Sequence, residues 1–198
     1  EYKKEKNGTG HMTNLQLENS EIIVGIDFTN NKRVNDILSN EKSAFLLYPG
    51  KDNFNLSIRK SSEINSFMGG TPHIFILDGT WPCARKMLKL STNLQQLKRV
   101  SFDNEIKSKF IIKQQPQPLC LSTIESVYTV LNLLNEGGFE QCDTIDFLMP
   151  FEKMIESQVH YILNPNLNSY RPSTKRELIP KNRYKRKAQR TIIFKQEN

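Results

Sequence analysis

An α/β fold on a mostly parallel sheet, with helices on both faces, is what three features of this sequence predict. Ser43–Tyr48 and His73–Leu77 are short, continuous apolar runs without the alternation of a half-exposed strand, so they read as strands covered on both sides. Each strand-like run is closed by a turn signal, and apolar residues at helical spacing recur between the runs. An apolar content of 37% in 198 residues is enough for a sizeable core, which predicts one domain followed by a tail.

The elements follow in order. Gly8-Thr9-Gly10 reads as a glycine turn leading into a short helix over HMTNLQLENS. Such a turn lets backbone approach a ligand, and it serves an ordinary chain reversal equally well. Glu21–Gly25 reads as a strand; Asp27-Phe28-Thr29 ends it, and Asn30 or Asn31 caps a helix with Val34, Ile37 and Leu38 on one face. Ser43–Tyr48 is the next strand, closed by Pro49-Gly50. Residues 51–72 form a polar connection with a strand at Asn55–Ile58 and a short helix around Glu63.

His73–Leu77 is then a strand that Gly79 breaks, and a helix follows it. Thr80 suits the N-cap, Pro82 the first turn, and Ala84, Met87 and Leu88 the core face. Asp78, Thr80 and the single tryptophan, Trp81, thus fall at the carboxyl end of a strand, where open α/β sheets hold ligands. Read bare, Asp-Gly-Thr also fits a plain turn and Trp81 a core anchor.

Val100–Phe102 makes a short strand, 103–120 is irregular, and a helix begins at Ser122. Ser122 and Glu125 stand in the relation of a capping box, which needs no ligand. Val127, Val130, Leu131 and Leu134 are its core face, and Gly137-Gly138 end it. A last helix from Pro150 carries Phe151, Met154, Ile155, Val159 and Ile162 as a core stripe. Arg190–Lys195 reads either as a short edge strand or as an unstructured end.

The formal charge of +7 is unevenly spread: residues 171–198 hold 10 Lys/Arg against 2 Asp/Glu, leaving 18 against 19 for residues 1–170. A tail of that kind suits a polyanion. Arg183, Lys185, Arg186, Lys187 and Arg190 are the candidate phosphate contacts, against the plainer reading of a solvated end. Cys83, Cys120 and Cys142 form no CxxC pair, and the odd count argues against a disulfide framework and for a reducing, cytoplasmic setting. His11, His73 and His160 are isolated, so no metal constellation is expected. No apolar run is long enough to span a bilayer, and a monomer without membrane attachment is expected.

LDGTWPCARKML resembles the signature of the DTW-domain family, and LSTIE at Leu121–Glu125 is similar to that family's second signature, Leu-Ser-Thr-x-Glu. Thr9-Gly10 and Tyr48-Pro49-Gly50 add weaker likeness, and together the resemblance covers most of residues 1–160. It implies a DTW domain over 1–170, with residues 171–198 as a basic tail. Family members are aminocarboxypropyltransferases that use S-adenosyl-L-methionine to modify a uridine in tRNA, and they are related to the knotted SPOUT methyltransferases. A SPOUT-like fold with a trefoil knot in the carboxyl half is therefore implied.

The implied chemistry is attack by the uridine imide nitrogen on the γ-carbon of the methionine part, with release of methylthioadenosine. Carried over residue by residue, the cofactor pocket comprises Tyr48, Pro49 and Gly50, then Leu77, Asp78, Gly79, Thr80, Trp81 and Ala84, then Leu121, Ser122 and Thr123. Asp78, Thr80 and Glu125 are the implied catalytic residues, with Asp78 as proton acceptor or orienting group. The chain departs from the family where an Arg is usual before the Leu-Ser-Thr helix and Lys113 and glutamines stand instead. Family members commonly carry a cysteine-rich, metal-binding segment ahead of the matched region, ending in a His-Pro-x-Glu element. Because EYKKEK lacks an initiator Met, the domain is expected to be amino-terminally truncated, with Glu1 the end of that element and any zinc confined to the missing segment. Two further classes fit the same residues: an RNA methyltransferase of SPOUT type, and a non-catalytic RNA-binding module in which Asp78 is structural.

Overall fold

Four parallel strands in the order β2-β4-β1-β3 form the centre of the molecule, in a computed structural model that describes residues 8–40, 43–50, 52–112 and 119–164. Strand β1 (Ala44–Leu47) is central, with β3 (His73–Phe75) on one side and β4 (Lys98–Ser101) on the other. The outer strand β2 (Asn53–Asn55) pairs with β4. One compact unit spans Glu1–Val159, and a second begins at His160. Of the second, the end of the last helix and Asn164 are described.

Alternation along the central strand sorts the core. Leu46 points to one face, where it packs with Phe28, Val34, Ala84, Met87, Leu88 and Leu94. These come from the α2 (Lys32–Asn40), α4 (Trp81–Leu90) and α5 (Thr92–Gln95) region of the chain. Phe45 points to the other face, against Leu56, Ile64, Met68, Val100, Val130 and Leu134, which α3 (Ser61–Met68) and α6 (Thr123–Glu136) largely supply. Both faces are therefore covered, as the unbroken apolar runs required. A third cluster joins α6 to α7 (Met149–Leu163) through Ile124, Val127, Phe151 and Ile155, with Met12 and Leu17 at and beyond α1 (Thr9–Gln16) packed against it.

Four expectations shift. Glu21–Gly25 forms no strand: Ile22 and Ile23 are half-buried, Ile23 against the first core cluster, while Val24 is exposed, so the run leans on the core without joining the sheet. The strand expected at Asn55–Ile58 lies at Asn53–Asn55 instead. The Asn55 side chain accepts from the Ser57 N–H at 3.0 Å and turns the chain into a 3-10 turn over Leu56–Ile58. Strand β4 begins two residues earlier than Val100, because Lys98 and Arg99 pair with β1 through backbone that their side chains do not disturb. Strand β3 ends at Phe75, short of Leu77, leaving Ile76 and Leu77 to lead into the loop. At the capping position before α2, Asn31 is the residue used: its Oδ1 accepts from the Val34 N–H at 3.0 Å.

The carboxyl half, where the knot is expected, includes residues 113–118, which lie outside the described residues; Lys113 is one of them. The tail candidates Arg183, Lys185, Arg186, Lys187 and Arg190, and the strand considered at Arg190–Lys195, also lie outside them. Among the described residues, no helix is long and apolar enough to cross a membrane.

Candidate active site

The parallel pairing of β1 and β3 sets the loops that follow them side by side. Tyr48-Pro49-Gly50 leaves β1, and Leu77 to Thr80 leads from β3 into α4. The aromatic rings of Tyr48 and Trp81 meet edge-on across this junction, 6.0 Å apart with 64° between their planes. Both are partly exposed.

Asp78 is exposed at the tip of the β3–α4 loop. Its Oδ1 accepts from the Thr123 hydroxyl at 2.6 Å, which joins the two motif segments at the start of α6. The glycine segment expected as a turn is already helical from Thr9, and the first turn of α1 adds a third wall: a Cβ on Gly10 would sit 2.5 Å from the Asp78 carboxyl carbon, so the α1 backbone is pressed against the carboxylate. Gly79 has φ +155, a backbone region in which L side chains are strained, and that conformation lets the chain turn from Asp78 into α4. Thr80 is the N-cap of α4 without a side-chain capping bond, so its hydroxyl is uncommitted to the helix.

Glu125 lies differently. The Ser122–Glu125 capping box forms, and the carboxylate is 6% exposed. It accepts from the Ser122 N–H (2.8 Å), the Ser122 hydroxyl (2.6 Å), the Ser108 hydroxyl (2.7 Å) and the Lys109 N–H (2.7 Å). A buried carboxylate with four donors is held where it is, and it ties the segment after β4 to the start of α6. Glu125 thus braces the start of α6, the turn that carries Thr123. Ser122 is likewise buried, and Ala84 is a core residue behind Trp81. Leu77 and Leu121 are half-buried, and Pro49, Gly50, Gly79 and Thr80 are exposed.

Two cations border the Tyr48 side of the junction. The Arg99 guanidinium lies over the Tyr48 ring, 5.7 Å from its centroid. Burial pushes the Tyr48 phenol above its ordinary value, while the charges of Arg85 and Arg99 pull it back down. Arg85 lies within the LDGTWPCARKML stretch but was not a candidate site residue, and Arg99, Ser108 and Lys109 lie outside both motifs. The spacing of Arg85 one helical turn after Trp81 is the signal that could have found the first of them.

The Tyr48 and Trp81 rings offer apolar faces, and the α6 N-terminus offers N–H groups to a carboxylate. Among the described residues, no group of three His, Cys, Asp or Glu side chains is placed to hold a metal ion.

The DTW domain matches residues 1–159, and the chain belongs to that family. It is similar to tRNA-uridine aminocarboxypropyltransferase 2 of Drosophila melanogaster, 32% identical over 131 residues, 64% of this chain and 49% of the relative. The protein of the same name from Macaca fascicularis is 26% identical over 125 residues, 61% of this chain and 38% of that one. The Mus musculus protein is 23% identical over 125 residues, with the same shares. The matched stretch thus covers less than half the length of each of these relatives. No solved structure matches the chain.

Proposed function

We propose that this member of the DTW domain family transfers the 3-amino-3-carboxypropyl group of S-adenosyl-L-methionine to a uridine in tRNA. The observation that carries the reading is the meeting of three segments at one carboxylate, where Thr123 donates to Asp78 and Gly10 closes on it from α1. The names of the relatives supply the reaction class, and the site supplies groups suited to it. When bound, the donor provides a sulfonium that makes its γ-carbon open to attack and methylthioadenosine a good leaving group.

What remains for the chain is orientation and a proton. Asp78 is the proton acceptor for the uridine imide, within an exposed loop that an RNA base can reach. Thr123 holds Oδ1 and Gly10 packs against the carboxylate, and together they fix its direction. Tyr48 and Trp81 wall the donor's ring, Thr80 adds a hydroxyl, and the first turn of α6 takes the carboxylate. Glu125 holds that turn in place. The basic tail around Arg183–Arg190 contributes phosphate contacts to the same RNA.

The test is incubation of the full chain with labelled S-adenosylmethionine and unfractionated tRNA, followed by nucleoside mass analysis. An aminocarboxypropyl increment on uridine is the expected result. A methyl increment would assign the chain to the methyltransferases, and binding of RNA without donor binding would assign it to non-catalytic modules.

A further inference from the structure

Of the four arginines in the described residues, two are spent on ion pairs: Arg33 with Glu21 at 2.8 Å and Arg59 with Glu63 at 3.2 Å. The other two, Arg85 and Arg99, stand at the edge of the proposed site, and among the described residues neither has a carboxylate partner. Asp52 shares a cavity of about 330 Å³ with Arg99 and forms no ion pair with it. Arg99 is half-buried on β4 with the Tyr48 ring beside it and no carboxylate partner among the described residues, so its charge is open to an anionic ligand. Room has been made for it: a Cβ on Gly50 would fall 2.7 Å from Arg99 Nη1. Arg85 follows Trp81 by one turn of α4, on the side of the helix from which Trp81 meets Tyr48.

We infer that Arg85 and Arg99, set around the Tyr48 ring, bind a backbone phosphate of the RNA substrate next to the modified uridine. Planar guanidinium groups match phosphate oxygens with paired, charge-assisted hydrogen bonds. A contact of this kind positions the strand without reading its sequence. The donor's own carboxylate has the same anionic chemistry, but the donor as a whole carries one negative and two positive groups. Two uncompensated guanidinium charges therefore favour a polyanion over it. This inference rests on the proposed reading of the chain as an RNA-modifying enzyme, and it puts one RNA anchor on the folded domain rather than on the tail alone.

Binding of unfractionated tRNA by the full chain, measured by filter retention over a series of KCl concentrations, tests it. The proteins compared are the unaltered chain, Arg85→Gln, Arg99→Gln, the double variant and Arg99→Lys. The slope of log affinity against log salt should fall in magnitude by about 0.7–0.9 for each arginine replaced by glutamine, and stay unchanged in Arg99→Lys. Calorimetric binding of S-adenosylmethionine should be the same in all five. Arg85 is exposed, so Arg85→Gln carries the test if Arg99→Gln melts early. An unchanged slope in the double variant overturns the inference. So does a loss confined to S-adenosylmethionine binding, which would give the pair to the donor carboxylate. If the unaltered chain binds tRNA but no S-adenosylmethionine, the proposed function fails while the salt slopes still decide the role of the two arginines.

Discussion

Thr123 and Asp78, 45 positions apart in sequence, share a 2.6 Å hydrogen bond that fixes the carboxylate at the mouth of the site. Gly10 packs against that same carboxylate, with space for hydrogen only. Gly10→Ala should therefore rotate Asp78 away from Thr123, because the side chain gives way more readily than backbone. Melting temperature should change little, while transfer of the aminocarboxypropyl group falls and S-adenosylmethionine binding persists. Unchanged transfer in Gly10→Ala would show that the direction of the carboxylate is immaterial.

Glu125 gives the opposite pattern. Its buried carboxylate gathers four donors from Ser108, Lys109 and Ser122. An amide in its place turns one acceptor into a donor facing other donors, so Glu125→Gln should lower unfolding stability by about 1.5–3 kcal/mol. Urea unfolding measures this. A midpoint equal to that of the unaltered chain would contradict the positioning role and return Glu125 to the catalytic group.

Gly50→Ala probes Arg99 without removing it. The added methyl would meet the far end of a flexible side chain at 2.7 Å, so the fold should survive and the guanidinium should move. The tRNA salt slope should then fall as it does in Arg99→Gln. A slope that stays at the original value would mean that Arg99 reaches its phosphate from another position.

Tyr48 reports on the same pair. Burial raises its pKa, and Arg85 and Arg99 lower it by favouring the phenolate. Replacing both arginines with glutamine should move the Tyr48 titration to still higher pH, read by ultraviolet difference titration against Tyr48→Phe. The sign for stability follows. A phenol whose folded pKa lies above its unfolded value contributes stability that is complete below pH 10.0 and is lost as pH rises through the folded pKa. A downward shift in the double variant would remove Arg85 and Arg99 from the neighbourhood of the ring.

Much of this was legible from local chemistry. Continuous apolar runs at Ser43–Tyr48 and His73–Leu77 announced strands covered on both faces, and Ser122 with Glu125 announced a helix start, since these signals act within a few residues. What could not be read were relations between distant segments. Nothing near Gly10 says that its missing side chain is needed by Asp78, and nothing near Glu125 says that Ser108 and Lys109 close over it. The run at Glu21–Gly25 misled because β-branched composition alone does not distinguish a strand from an irregular stretch whose isoleucines are half-buried against the core. Arg99 was hidden for a related reason: a polar residue on a short strand looks like solvent-facing edge until the neighbouring Tyr48 and Gly50 are placed.

Single-turnover transfer from labelled S-adenosylmethionine to tRNA by Asp78→Asn, set beside calorimetric donor binding by the same protein, tests the central claim most directly. With Asp78 as the proton acceptor, donor affinity is retained and the transfer rate falls by about 10²–10⁴-fold. Transfer at the rate of the unaltered chain, with donor binding equally intact, would contradict the catalytic role of Asp78 and leave its bond to Thr123 as a structural contact.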